Sequence, residues 1–346
     1  MASSRVLMAT TWLAVVAAVA AAALDMSPVP FHAGFTPLFG DDNLVPSPDG
    51  RSVRLKLDRR TGSGFVSKKA YNHGFFSASI QLPDDYTAGV VVAFYLSNGD
   101  VYPHNHDEVD FELLGNRRGH GWRVQTNIYG NGSTSRGREE RYLLPFDPTA
   151  RPHAYAVSWT PTAVVFYVDG APVREAVRVP RAMGGDFPAK PMSVYATIWD
   201  GSAWATDGGR HRVDYAYAPF AADFSGLVLR GCPAVDDEAG LGGAAADAAE
   251  CQVAVMTHER AVMTPAKRAA MRRFRRRYLI YTVCHDRVRY VGAVFPECDV
   301  DGEDGDRDGF HEWGESKRVV PHRRADKAAA VAGRPRTWPI GSLRAD

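Results

Sequence analysis

Short runs in which apolar and polar residues alternate recur along the first half of the chain, separated by Gly, Pro, Asn and Asp. A period of two belongs to half-buried β-strands. It predicts strands over Ser52 to Leu57, Gly74 to Leu82, Gly89 to Leu96, His106 to Leu114, Trp122 to Tyr129 and His153 to Trp159. Trp159-Thr160-Pro161-Thr162-Ala163 and Asp169-Gly170 read as hairpin turns on either side of a core strand, Val164 to Val168. Strands this short and this regularly punctuated predict an all-β sandwich of two antiparallel sheets.

One strand departs from ordinary alternation. In His106-Asp107-Glu108-Val109-Asp110-Phe111-Glu112-Leu113-Leu114-Gly115, the period of two sends Glu108, Asp110 and Glu112 to one face and Val109, Phe111 and Leu113 to the other. Like charges along one strand raise each other's pKa values and cost stability, so a fold that keeps them together is using them. A solvated acidic edge is the competing reading, but edge strands more naturally carry Lys or mixed signs. The chemistry that needs paired carboxylates here is retaining glycoside hydrolysis, with a nucleophile and a proton donor whose carboxyl groups lie about 5 to 5.5 Å apart. Glu108 and Glu112 are separated by roughly 13 Å between α-carbons at about 3.3 Å per residue. Their side chains therefore have to lean together over Asp110, as a twisted sheet allows.

Composition and charge narrow the class. The 346 residues are 45% hydrophobic and 11% aromatic, enough for a large sandwich with an extension. A formal net charge of +1 argues against an electrostatic nucleic-acid binder. Arg5 followed by the apolar stretch Leu7 to Leu24 reads as a secretory leader cleaved near Ala23, being short for a bilayer span and interrupted by Thr10 and Thr11. The expected mature protein is extracellular, a compartment that favours disulfides. Its four cysteines, Cys232, Cys251, Cys284 and Cys298, permit three pairings, and no Cys-x-x-Cys spacing points to a metal site. Asn131-Gly132-Ser133 is a glycan acceptor sequence in an expected turn, where an ordinary Asn-Gly turn is the plainer alternative. Tyr129, Trp199 and Trp204 are candidate platforms for sugar rings, the last two because a turn-forming Asp200-Gly201-Ser202 separates them.

The run from His106 to Gly115 resembles the signature of plant xyloglucan endotransglucosylase/hydrolases of glycoside hydrolase family sixteen, with Val109 where the usual form has Ile. The resemblance extends over Gly40-Asp41-Asp42-Asn43, Gly74 to Pro83, Gln125-Thr126-Asn127, Phe187 to Met192, Ile198-Trp199-Asp200-Gly201 and Trp204-Ala205-Thr206. It implies a concanavalin-like jelly roll, with Glu108 as nucleophile, Glu112 as general acid and then base, and Asp110 as a helper that tunes Glu108. It implies sugar contacts at Glu112, Gln125, Thr126, Asn127, Gly137, Arg138, Glu139, Glu140, Arg141, Ala203, Trp204, Gly208 and Arg289, and disulfides Cys232–Cys251 and Cys284–Cys298. By its longer C-terminal tail the chain is most similar to the third subgroup, on the transglucosylase branch. An expected monomer would act on xyloglucan donor and acceptor chains without metal or cofactor. A hydrolase, or a wall protein that only binds carbohydrate, are the alternatives.

From about Gly231 the composition changes. Asp236 to Glu250, acidic and rich in Gly and Ala, reads as a loop; Pro265 to Tyr281 reads as a helix whose Arg272, Arg273, Arg275, Arg276 and Arg277 form a charged face or attract an acidic polysaccharide. Past Cys298 the charged chain reads as a disordered tail. Asp304, Asp306, Asp308, Gly309 and Glu315 match a calcium-loop template there, but no flanking helix pair supports it. These readings divide the chain into a leader (1–23), a jelly roll (24–228), an extension with two disulfides (229–298) and a tail (299–346).

Overall fold

The computed structural model describes residues 26–179, 186–234, 243–292, 295, 298 and 309–317; the expected leader, most of the tail and Asp304 to Asp308 of the calcium-loop pattern lie outside these. In chain order the strands are β1 (Phe35–Phe39), β2 (Leu44–Pro46), β3 (Ser52–Leu57), β4 (Ser63–Ser67), β5 (Tyr71–Gln81), β6 (Val90–Ser97), β7 (Glu108–Leu114) and β8 (Arg123–Tyr129). There follow β9 (Glu140–Leu143), β10 (His153–Trp159), β11 (Ala163–Val168), β12 (Ala171–Val177), β13 (Ser193–Asp200), β14 (Phe220–Pro233), β15 (Leu279–Asp286) and β16 (Trp313–Glu315). Three α-helices accompany them, α1 (Phe31–Gly34), α2 (Gly243–Thr257) and α3 (Pro265–Tyr278). Nine strands form one antiparallel sheet in the order β1-β4-β13-β6-β7-β8-β9-β15-β16, and seven form the other in the order β12-β11-β10-β5-β14-β3-β2. This is the sandwich of two antiparallel sheets that the alternating runs predict and the jelly roll that the resemblance implies, with each of the seven expected strands present to within a few residues.

The acidic strand owes its central position to its other face. Val109, Phe111 and Leu113 are fully buried, and Phe111 sits edge-on to Tyr155 of β10 and Phe166 of β11, with ring centroids 5.7 and 5.1 Å apart. Edge-to-face pairs add about 0.5–1.5 kcal/mol beyond area burial. The closing residue of the motif is glycine because the chain passes too close for anything larger: a Cβ on Gly115 would lie 2.0 Å from the carbonyl oxygen of Thr87.

The C-terminal region differs from expectation in several places. Residues from Gly243 onward, read as loop, form α2; Ala is the best helix former, and this stretch is dense in it. A disulfide from Cys232 on β14 to Cys251 pins α2, and a second joins Cys284 to Cys298. Helix α3 starts where Thr264 accepts a hydrogen bond from Lys267 N–H and Pro265 fits the first turn, but it stops at Tyr278 rather than Tyr281. Leu279-Ile280-Tyr281-Thr282-Val283 is a run of β-formers that joins the nine-stranded sheet beside β9. Within the segment read as tail, Trp313–Glu315 forms β16 against β15, and Glu315 belongs to that strand. The expected boundary at residue 228 falls inside β14, which runs continuously into the extension.

Nor is Arg275 part of an exposed face. It is buried, and its guanidinium grips Glu140 with Nη1 donating to Oε2 at 2.6 Å and Nη2 to Oε1 at 2.9 Å. Burial opposes the charge of Glu140, but Arg275 and Arg174 outweigh it and hold the carboxyl down to about 2. Tyr142 and Thr282 complete the cluster, which fastens α3 and β15 to β9. Removing one partner strands the remaining charges in the interior, so Glu140→Ala should lower stability by about 3–5 kcal/mol. A fall of the chemical-denaturation midpoint is the expected reading; an unchanged midpoint contradicts a structural role for Glu140.

Candidate active site

Register decides what faces the acidic row. On β8, Tyr129 stands opposite Glu108, Asn127 opposite Asp110 and Gln125 opposite Glu112. On β6, Ser97, Tyr95 and Ala93 stand opposite the same three. A cleft of about 270 Å³ results, lined by Glu108, Asp110, Glu112, Gln125, Asn127, Tyr129, Glu139, Trp199 and Trp204. Small Ala93 beside Glu112 leaves that carboxyl accessible from one side, while Trp199 and Trp204, 6.0 Å apart, wall the far end over Val91, Leu114 and Ala205.

The three carboxyls are held differently. Burial raises Glu108 above the ordinary glutamate range, countered by a hydrogen bond from Ser97 and by His106, whose Nε2 lies 4.0 Å from Oε2. Asp110 is pushed far up by burial and by the charges of Glu108 and Glu112, and its proton is shared with Glu108, whose ionised form that bond favours. Asn127 Nδ2 donates to Asp110 at 3.2 Å, its own carbonyl taken by Arg138 N–H at 2.9 Å. Glu112 is raised to about 7, chiefly by burial, then by Glu108 and Glu139; Gln125, donating from Nε2 to Oε2 at 2.5 Å, and Arg141 act the other way. An ionisable nucleophile and a carboxylic acid protonated near neutrality on one strand can carry out two-step displacement at a sugar carbon.

Comparison with known proteins shows the family. Residues 31–217 match the family model described as glycosyl hydrolases family 16, and residues 252–298 match that of the xyloglucan endo-transglycosylase C-terminus. The probable xyloglucan endotransglucosylase/hydrolase protein 28 of Arabidopsis thaliana is 53% identical over 281 residues, 81% of this chain and 82% of its own. Protein 27 of the same plant is 56% identical over 277 residues, 80% of this chain and 81% of its own. This chain belongs to the xyloglucan endotransglucosylase/hydrolase family. A Bacillus licheniformis beta-glucanase is similar among solved structures, at 22% identity and a TM-score of 0.46 over 57% of this chain and 94% of its own.

In this member of the xyloglucan endotransglucosylase/hydrolase family, the sequence-predicted contact residues separate into four groups. Glu112, Gln125, Asn127, Glu139, Trp199 and Trp204 line the cleft. Arg141 and Arg289 stand at its margin, Arg141 donating from Nε to Gln125 Oε1 at 2.6 Å and Arg289 pairing with Glu139 at 2.7 Å. Ala203 and Gly208 lie exposed in the turns that carry Trp204. Thr126, Glu140 and Arg138 do not reach the cleft. Thr126 and Glu140 occupy the inward phase of β8 and β9, Thr126 receiving Arg174 and Glu140 receiving Arg275. Arg138 is buried with its guanidinium on the carbonyl oxygens of Ile128 and Asp186, and Gly137 lies buried with its carbonyl accepting from Tyr290.

Sequence reading missed three participants. Asp107, out of phase with the acidic row and 1% exposed, accepts from Asn131 N–H, from Ala189 and Lys190 N–H and from Lys190 Nζ, so it ties two loops to the start of β7. Tyr95 and Tyr195 stack at 5.1 Å in the row containing Asp110. Asn131 is exposed at a left-handed turn position, accessible to the glycan its sequence motif predicts.

With Glu112 in the expected role of general acid, its pKa of about 7 sets the basic limb of the pH profile. Its protonated form is required, so kcat/KM should fall as pH rises through about 7. Glu112→Gln, unable to give or take a proton, should lose about 10²- to 10⁴-fold in rate. A wild-type profile flat from pH 6 to 8.5 contradicts the assignment.

Proposed function

We propose that this protein is a secreted xyloglucan endotransglucosylase that cuts the β-1,4-glucan backbone and joins the cut end to another xyloglucan chain during wall construction and remodelling. The observation that carries the reading is the acidic row itself, an ionisable Glu108 beside a protonated Glu112 on one open cleft. A module that only binds carbohydrate has no use for a proton donor beside a nucleophile. The substrate comes from the relatives, whose names carry xyloglucan, and secretion from the apolar leader in the sequence.

The steps balance without any further group. A carboxylate oxygen of Glu108 bonds to the anomeric carbon while the glycosidic C–O bond breaks and Glu112 gives its proton to the departing oxygen. Half of the donor remains as an ester on Glu108 and the other half leaves. An acceptor hydroxyl then loses its proton to Glu112, its oxygen attacks the anomeric carbon, and Glu108 departs as carboxylate. With water as acceptor the same steps give hydrolysis. Transfer is supported by the resemblance to the transglucosylase branch and by β15, which widens the cleft-bearing sheet beyond β9 and is followed by the exposed Arg289, a surface for further sugar units.

Incubating the protein with xyloglucan and a fluorescent xyloglucan oligosaccharide tests this directly. Label entering polymer without matching new reducing ends is expected; reducing ends without label would make it a hydrolase, and neither would remove the substrate assignment. Glu108→Ala should abolish both signals with an unchanged circular dichroism spectrum.

A further inference from the structure

One cross-strand row joins the C-terminal extension to the proton donor. Glu112 on β7 faces Gln125 on β8, Gln125 faces Arg141 on β9, and Arg141 faces Tyr281 on β15, each pair directly in register. Every link is made. The guanidinium of Arg141 lies over the Tyr281 ring at 5.0 Å, its Nε donates to Gln125 Oε1 at 2.6 Å, and Gln125 Nε2 donates to Glu112 Oε2 at 2.5 Å. Tyr281 is itself fixed by its hydroxyl, which donates to Asp286 at 2.7 Å.

We propose that Arg141, seated on Tyr281 of the extension, is a positioning residue for the proton donor: it fixes which end of the Gln125 amide faces Glu112. This rests on Glu112 being the acid, as proposed above. A guanidinium has only donors, so it accepts nothing but the carbonyl end of Gln125 as a partner. The NH2 end must then point to Glu112. The carbonyl-type oxygen of a neutral carboxylic acid is its stronger acceptor, so the NH2 group takes Oε2 and the proton rests on Oε1, the oxygen available to a glycosidic bond. Released from Arg141, the amide can rotate about its last bond. Its carbonyl would then accept the acid's own proton, stabilise the protonated form and hold that proton away from substrate.

The effect on the donor has a definite sign. The titratable and charged groups around Glu112 are Glu108 and the protonated Asp110 on its own strand, Glu139 ahead of β9 with its partner Arg289, and Arg141. Of these, Arg141 is the cation whose charge lowers the pKa of Glu112. Its loss removes that attraction, and amide rotation removes the hydrogen bond to the ionised form, so both changes move the pKa up.

Arg141→Met keeps a flexible apolar stem on Tyr281 while deleting charge and donor. The basic limb of kcat/KM should move up by about one pH unit and kcat at pH 6 should fall by about tenfold. Arg141→Lys, whose ammonium can still donate to the Gln125 carbonyl, should return the limb towards its wild-type position, and Tyr281→Leu should shift it in the same direction as Arg141→Met by a smaller amount. Thermal unfolding of each variant shows that the fold is kept. A limb unmoved in Arg141→Met, with only a raised acceptor KM, would make Arg141 a sugar contact and overturn the proposal. The controls separate the two levels: with Glu112→Gln inactive, an unmoved limb removes only the positioning role, whereas an active Glu112→Gln removes the acid assignment itself.

Discussion

Three carboxyl groups on one face of one strand cannot all be charged, and the arrangement of this sheet follows from that electrostatic constraint. In a buried cleft two neighbouring negative charges cost several kcal/mol, so protons are retained where burial is deepest. Here Asp110, in the middle and flanked on both sides, keeps its proton, shares it with Glu108, and so lets Glu108 ionise. Glu112, four residues on, is raised by burial and by its acidic neighbours into the range of a working acid. The nucleophile, helper and donor roles proposed for Glu108, Asp110 and Glu112 thus rest on environment rather than on residue type.

The neighbouring strands fix this division. Each carboxyl of the row has an in-register partner on β8, and the two amides among them are oriented from behind, Asn127 by the backbone N–H of Arg138 and Gln125 by Arg141. That backing comes from β9 and the residues just ahead of it, and β9 is secured from below by the buried Glu140–Arg275 pair and alongside by β15. The extension is thus continuous with the cleft-bearing sheet through β15 and with the opposite sheet through β14, which runs past residue 228.

Much of this was legible in the sequence, and what was not has physical reasons. The face of β7 follows directly from a period of two, and so did seven of the strands. Strand β13 was missed because Tyr195 and Trp199 on its cleft face stand among Val194, Ala196 and Ile198 and blur the alternation. Strand β14 was missed because its register shifts between Ser225 and Val228 and again between Gly231 and Pro233 break the alternation. The contact set carried over by resemblance took consecutive residues together, yet a strand cannot present Gln125, Thr126 and Asn127 to one side; alternation itself assigns Thr126 and Glu140 to the interior. The bond of Arg275 to Glu140, 135 residues away, had no local signal, since a cationic residue in a basic helix reads as solvated until its partner is known.

The most direct test is to trap the intermediate. A xyloglucan oligosaccharide bearing fluorine at the 2-position of the reacting sugar and an activated leaving group should lose that leaving group to form a glycosyl ester on the enzyme that turns over slowly, and peptide mapping by mass spectrometry locates the ester. It should lie on Glu108, with none on Asp110 or Glu112. An ester on either of those residues, or the absence of any covalent adduct in an enzyme that cleaves xyloglucan, would contradict the division of roles set by this cleft.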